Sequence, residues 1–275
     1  MSNVELFEKL FAEYVGTRSA VAVNSGSSAL LASLCYLEQE MHITHVITTP
    51  FTFKATSNAI LLAGLIPVFV DIEEEGYGID PERVKEAILE LTVDEYVRCA
   101  ILPVHLFGVP CSMDKLMDLS KIYDAPIIED ASQACGATYW KKRCGSMGLM
   151  GTFSFYATKN LPTFQGGMIT TNVFHIDQWL RKFRNHGAAK NSLPMHILGM
   201  NLSMPDILAY IGQTHLRLHK TGMEAELGNY GPDNGFYQCL VPDEYWYQHN
   251  PYRWMMPFPV PNAVRAVEYV KEKQR

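Results

Sequence analysis

"HVITTPFTFKATSNAILLAGLIPVFVDI", residues 45–72, decides how the chain folds. "HVITT" is a short apolar strand. "KATSNAILLAG" has helical character and stops at Gly64, where glycine permits a helix end. "IPVFVDI" is a second apolar strand. A strand, a helix and a strand in direct succession make a βαβ unit, which brings its two strands parallel.

The alternation extends both ways from this stretch. Upstream lie the strand "SAVAVN" and the helix "SSALLASLCYLEQE". Before them, Val4, Leu6, Phe7, Leu10, Phe11 and Tyr14 fall at helical spacing, closed by Gly16. Downstream, "DPERVKEAILEL" starts a helix with Asp80 as cap and Pro81 in the first turn. The strand "RCAILPVHL", the helix "SMDKLMDLSKIYD" and the strand "APIIED" follow. Beyond residue 130 come shorter strands, "TFSFYA" and "GGMITTN", and helices over about 175–186 and 205–219. The expectation is an α/β fold: a mainly parallel central sheet flanked by helices. The tail from 221 is rich in Gly, Pro, Asn and aromatics until a final charged helix, so residues 1–220 read as a large domain and 221–275 as a reduced C-terminal one.

Composition bounds the function. The 275 residues are 48% hydrophobic and 19% charged, enough for a sizeable core. A net charge of -6 argues against a nucleic-acid partner. Six cysteines without a C-x-x-C pair read as reduced thiols. No apolar run reaches the roughly 20 residues of a membrane span, and the amphipathic start has no signal core, so a cytoplasmic protein is expected.

Four signals carry chemistry, each with a plain alternative. "NSGSSAL", 24–30, runs from a strand into a helix start that suits a phosphate, or is an ordinary serine cap. It is neither a Walker loop nor a G-x-S-x-G elbow. Phe51 and Phe53 flank Thr52 at a strand–helix junction, to stack on a flat ring or to pack in the core. In "IIEDASQACGA", Asp130 ends a strand, where ligands gather in such sheets; it could face a metal, a base or a protonated ring nitrogen. Glu129 beside it points to the opposite face. His105 ends another strand, as a core histidine or a site residue. In "GTFSFYATKN", Lys159 is a strand-end charge reaching water or an amine kept partly dry to react with an aldehyde. A phosphate cradle, an aromatic, a carboxylate and a lysine in this order match the parts of pyridoxal phosphate.

On "AVAVNSGSSAL", "TTPFTFKATSNAILLAGLIPVFVDI", "PVHLFG", "IIEDASQACGA", "GTFSFYATKN", "GGMITTN", "RNHG" and "LGMNLSMPDILAYIGQTHL", the chain resembles the DegT/DnrJ/StrS nucleotide-sugar aminotransferases of fold type I. The resemblance implies pyridoxal 5'-phosphate as cofactor, Lys159 as the Schiff-base lysine and Asp130 at the ring nitrogen. It implies Gln133 beside the ring hydroxyl, Phe53 stacked on the ring, and Gly26, Ser27 and Ser154 on the phosphate. Asn201 would reach into a neighbouring subunit's site, which implies a homodimer. The implied reaction moves an amino group from an amino acid donor, glutamate, to a nucleotide-linked keto-sugar. Lys159 argues against the branch that carries histidine there and removes a hydroxyl. Ser203 stands where relatives have arginine, Gln165 where they have an acidic residue, and the C-terminal domain looks abridged. The alternative is a relative that binds the cofactor but serves as a regulatory or scaffolding subunit.

Overall fold

In the computed structural model, residues 1–229 are described except 75 and 191–193, with side chains as far as 217. The βαβ unit is present: β2 (His45–Thr48), α3 (Ala55–Leu62) and β3 (Ile66–Phe69), with β2 and β3 parallel in register. Before it come α1 (Asn3–Val15), β1 (Ser19–Val23) and α2 (Gly26–Met41). After it come α4 (Pro81–Leu91), β4 (Cys99–Ile101), α5 (Met113–Tyr123) and β5 (Ile128–Asp130). Asp80 caps α4 through the Glu82 N–H, as its sequence requires.

The second half adds a two-residue hairpin, β6 (Thr138–Tyr139) and β7 (Lys142–Arg143). Next are β8 (Met150–Ser154), β9 (Gly167–Thr171), α6 (Phe174–Phe183) and α7 (Asp206–Asn229). α7 runs beyond the expected end at 219, because "MEAEL" continues with helix formers before Gly228 and Asn229. The rest of the expected C-terminal domain lies outside the described residues.

Hydrogen bonding gives two sheets, β1-β9-β8-β5 and β3-β2-β4. Parallel bridges Ile101↔Ile127 and Val104↔Asp130 join them, so the order is β1-β9-β8-β5-β4-β2-β3. Among the described strands of this sheet, only β9 runs against its neighbours, pairing antiparallel with both β1 and β8.

Alternation along each strand fills both faces. Val46 of β2 and Ala100 of β4 join one core with α2 and α6, while Ile47 and Ile101 join another with α4 and α5. Under α1, the rings of Phe7, Phe11, Phe153 and Phe155 interlock, with Phe11 and Phe153 edge to face at 4.9 Å. Burying each such ring contributes about 1.5–3 kcal/mol. This cluster anchors β8, and with it the turn that carries Lys159.

Candidate active site

The C-terminal end of β5 carries the carboxylate on which the site is built. Asp130 is 5% exposed. The Ser132 backbone N–H donates to its Oδ1 at 3.1 Å, and the Thr56 hydroxyl donates to Oδ2 at 3.2 Å. Lys159 follows β8, the parallel neighbour of β5, so both residues leave the same sheet edge. Its backbone N–H donates to the Tyr156 carbonyl at 2.9 Å, closing a turn. The side chain is half-buried. Burial pushes its pKa down, and the Asp130 carboxylate opposes that shift. The strand-end lysine is therefore an amine partly withdrawn from water and within electrostatic reach of a carboxylate.

Glycines bring the next part together. A Cβ on Gly26, the first residue of α2, would sit 2.6 Å from the Cβ and 3.1 Å from the Cα of Ser154. A Cβ on Gly167 would sit 2.3 Å from the Ser25 carbonyl oxygen. Only residues without side chains let the end of β8 touch the start of α2. Ser25 caps α2 by accepting from the Ser28 N–H at 3.1 Å, and Ser28 in turn donates to Asn24 Oδ1 at 2.6 Å. The amides of Gly26 and Ser27 have no intrahelical acceptor and lie at the positive end of the helix dipole. This corner can receive an anion.

Gln133 accepts the Phe107 backbone N–H on Oε1 at 2.9 Å, which leaves its amino group as donor. Phe107 itself has left-handed backbone, φ 57. The Phe53 ring is 63% exposed. It lines a cleft of about 300 Å³ with Ser27, Ser28, Met200 and Leu202. Asn201, between the last two, is exposed and forms a backbone bridge with Asn185. Ser203 and Gln165 are both exposed.

Glu129 and His105 belong elsewhere. Both side chains are fully buried, 3.1 Å apart. Glu129 accepts the backbone N–H groups of Gly145, Met147 and Gly148, each at 2.7 Å. The Cys111 N–H donates to His105 Nδ1 at 3.1 Å, so the proton sits on Nε2, directed at Glu129. His105 is a satisfied core residue. No local sequence pattern points to these donors or to Thr56, because they come from segments distant from β5 in the chain.

This strand order, parallel except for β9, defines a fold type I domain of the pyridoxal phosphate-dependent transferases. The chain belongs to the DegT/DnrJ/EryC1/StrS aminotransferase family, whose model matches residues 2–224. It is 36% identical over 211 residues to the GDP-perosamine synthase of Caulobacter vibrioides, covering 76% of this chain and 55% of that protein. It is 35% identical over 218 residues to the UDP-4-amino-4,6-dideoxy-N-acetyl-beta-L-altrosamine transaminase of Campylobacter jejuni strain 81-176, covering 78% and 56%. The crystal structure of a DegT DnrJ EryC1 StrS aminotransferase from Brucella abortus superposes with a TM-score of 0.77 at 29% identity, covering 83% of this chain and 62% of that one. The chain thus spans about half the length of the curated relatives it matches. Among the described residues, no helix is long and apolar enough to cross a membrane.

Proposed function

We propose that this chain binds pyridoxal 5'-phosphate through Lys159 and moves an amino group from an amino acid, glutamate, to a nucleotide-linked keto-sugar. The observation that carries the reading is the pairing at one sheet edge: a lysine whose ammonium form is disfavoured by burial, within electrostatic reach of Asp130. The residues present fit the cofactor. The corner opened by Gly26 and Gly167 suits a phosphate, and the remaining donor of Gln133 suits a ring hydroxyl. Relatives named for perosamine and amino-altrosamine nucleotides support the substrate class.

When bound, pyridoxal phosphate supplies an aldehyde for an amine and a ring that takes up electrons as a proton leaves the substrate. The chain supplies the rest. The Gly26 and Ser27 amides and the Ser154 hydroxyl would hold the phosphate, and Phe53 would lie against the ring. Asp130 would favour a protonated ring nitrogen. Lys159, with its pKa lowered, offers more free amine near neutral pH and carries the proton to and from the substrate carbon. Asn201, exposed beside the exposed Leu198 and Met200, would complete the site of a second copy in a cytoplasmic homodimer.

Mixing the cofactor-loaded protein with glutamate tests the reaction. One equivalent of 2-oxo acid per site is expected, followed by amination of a keto-sugar nucleotide. Bound cofactor with no 2-oxo acid formed would overturn the transfer reaction and leave a regulatory or scaffolding subunit.

A further inference from the structure

Two threonine hydroxyls behind Asp130 have no role in the account above. Thr56, in the first turn of α3, is 1% exposed. Its Oγ1 lies 3.2 Å from Asp130 Oδ2 and 2.9 Å from Thr52 Oγ1. A hydroxyl has one proton to give, and an ionised carboxylate only accepts. Thr56 therefore gives its proton to Asp130, and Thr52 must give its own to Thr56. The chain of bonds has one direction while Asp130 is charged. A neutral carboxyl could turn the chain round by giving its own proton to Thr56, but a charged oxygen is the stronger acceptor, so the bonds as drawn favour the carboxylate. The Ser132 N–H at Oδ1 imposes the same preference on the other oxygen. Hydrogen bonds received by a carboxylate favour its charged form.

Of the other charged groups nearby, Lys159 is a cation within electrostatic reach of Asp130 and favours the same charged form. Glu129 spends its oxygens on three backbone amides and His105. His105 offers Asp130 only its backbone N–H, which donates to the Asp130 carbonyl at 3.0 Å. Thr56 also ties two parts of the site together, because its backbone N–H donates to the Phe53 carbonyl at 3.1 Å.

We infer that the Thr52–Thr56 hydroxyl pair is a positioning device that favours the charged form of Asp130 and fixes its carboxylate relative to Phe53. Its benefit to a bound ring rests on the pyridoxal phosphate reading; the hydroxyl chain itself does not.

Carboxyl ¹³C NMR of the cofactor-free protein tests the inference directly, with the Asp130 signal assigned by its loss in Asp130→Asn. Thr56→Val, equal in shape, should raise the Asp130 titration midpoint by about one pH unit, a tenfold change in proton affinity. Thr56→Ser should restore it, and Thr52→Val should raise it by less. An unchanged Asp130 midpoint in both valine variants, with native circular dichroism, overturns the inference. If Thr56→Val unfolds, Thr52→Val decides the matter alone. A shifted Asp130 midpoint in a protein that takes up no pyridoxal phosphate would uphold the hydroxyl chain and overturn the cofactor reading.

Discussion

Glu129 and Asp130 are neighbours on β5, yet their surroundings differ in kind. Glu129 points into the loop at 145–148, fully buried, and is surrounded by three backbone amides and a histidine. Asp130 points to the sheet edge with one amide, one hydroxyl and a half-buried lysine. A buried carboxylate whose acceptor sites are taken by the protein has finished its chemistry at folding. One held by fewer donors, beside a displaced amine, is arranged to meet something from outside. Period-2 alternation separates the two roles by a single residue.

The comparison can be broken by substitution. The largest effect on the fold is expected from Glu129→Ala, which strands three amides and His105. We expect a loss on the order of 3–5 kcal/mol in urea unfolding. A loss below about 1 kcal/mol would mean the clamp contributes little. Asp130→Asn should do the reverse: stability within about 1 kcal/mol of wild type, but amino-group transfer slower by about a hundredfold or more, because a neutral amide cannot hold a ring nitrogen charged. Equal damage to both properties would erase the distinction.

Gly26→Ala forces a Cβ against Ser154 and should weaken pyridoxal phosphate binding by about tenfold, read by fluorescence titration, with inorganic phosphate competing less well. The smallest effect sharpens the electrostatics. Asp130 raises the Lys159 pKa against the pull of burial. Removing that charge in Asp130→Asn should therefore lower the Lys159 midpoint further, seen as faster labelling by an amine-directed aldehyde at neutral pH. A midpoint that rises would show that the two groups do not face each other.

Much of the fold was legible in the sequence for local reasons. Residues 45–72 announced a βαβ unit, and Asp80-Pro81 announced a helix start. The position of β9 as the strand that runs against its neighbours in the described seven-stranded sheet was not legible, because pairing joins Gly167–Thr171 to partners far away in sequence. The β6–β7 hairpin was hidden for a different reason. Its turn places Trp140 and Lys141 at φ 46 and 65, without the glycine or asparagine that normally marks such backbone. In the site, alternation foretold that Glu129 and Asp130 diverge. It could not say that the 145–148 loop waits on one side and Thr56 on the other. The closeness of Gly26 to Ser154 was reached through family resemblance alone, since no local pattern links a helix start to a strand end so distant in sequence.

The central claim is covalent and can be weighed. The protein is incubated with pyridoxal phosphate, reduced with borohydride, digested and analysed by mass spectrometry, alongside Lys159→Ala. The account predicts one phosphopyridoxyl adduct, on the peptide containing Lys159, and none in the variant. An adduct on another lysine such as Lys54, or equal labelling of the two proteins, would contradict it.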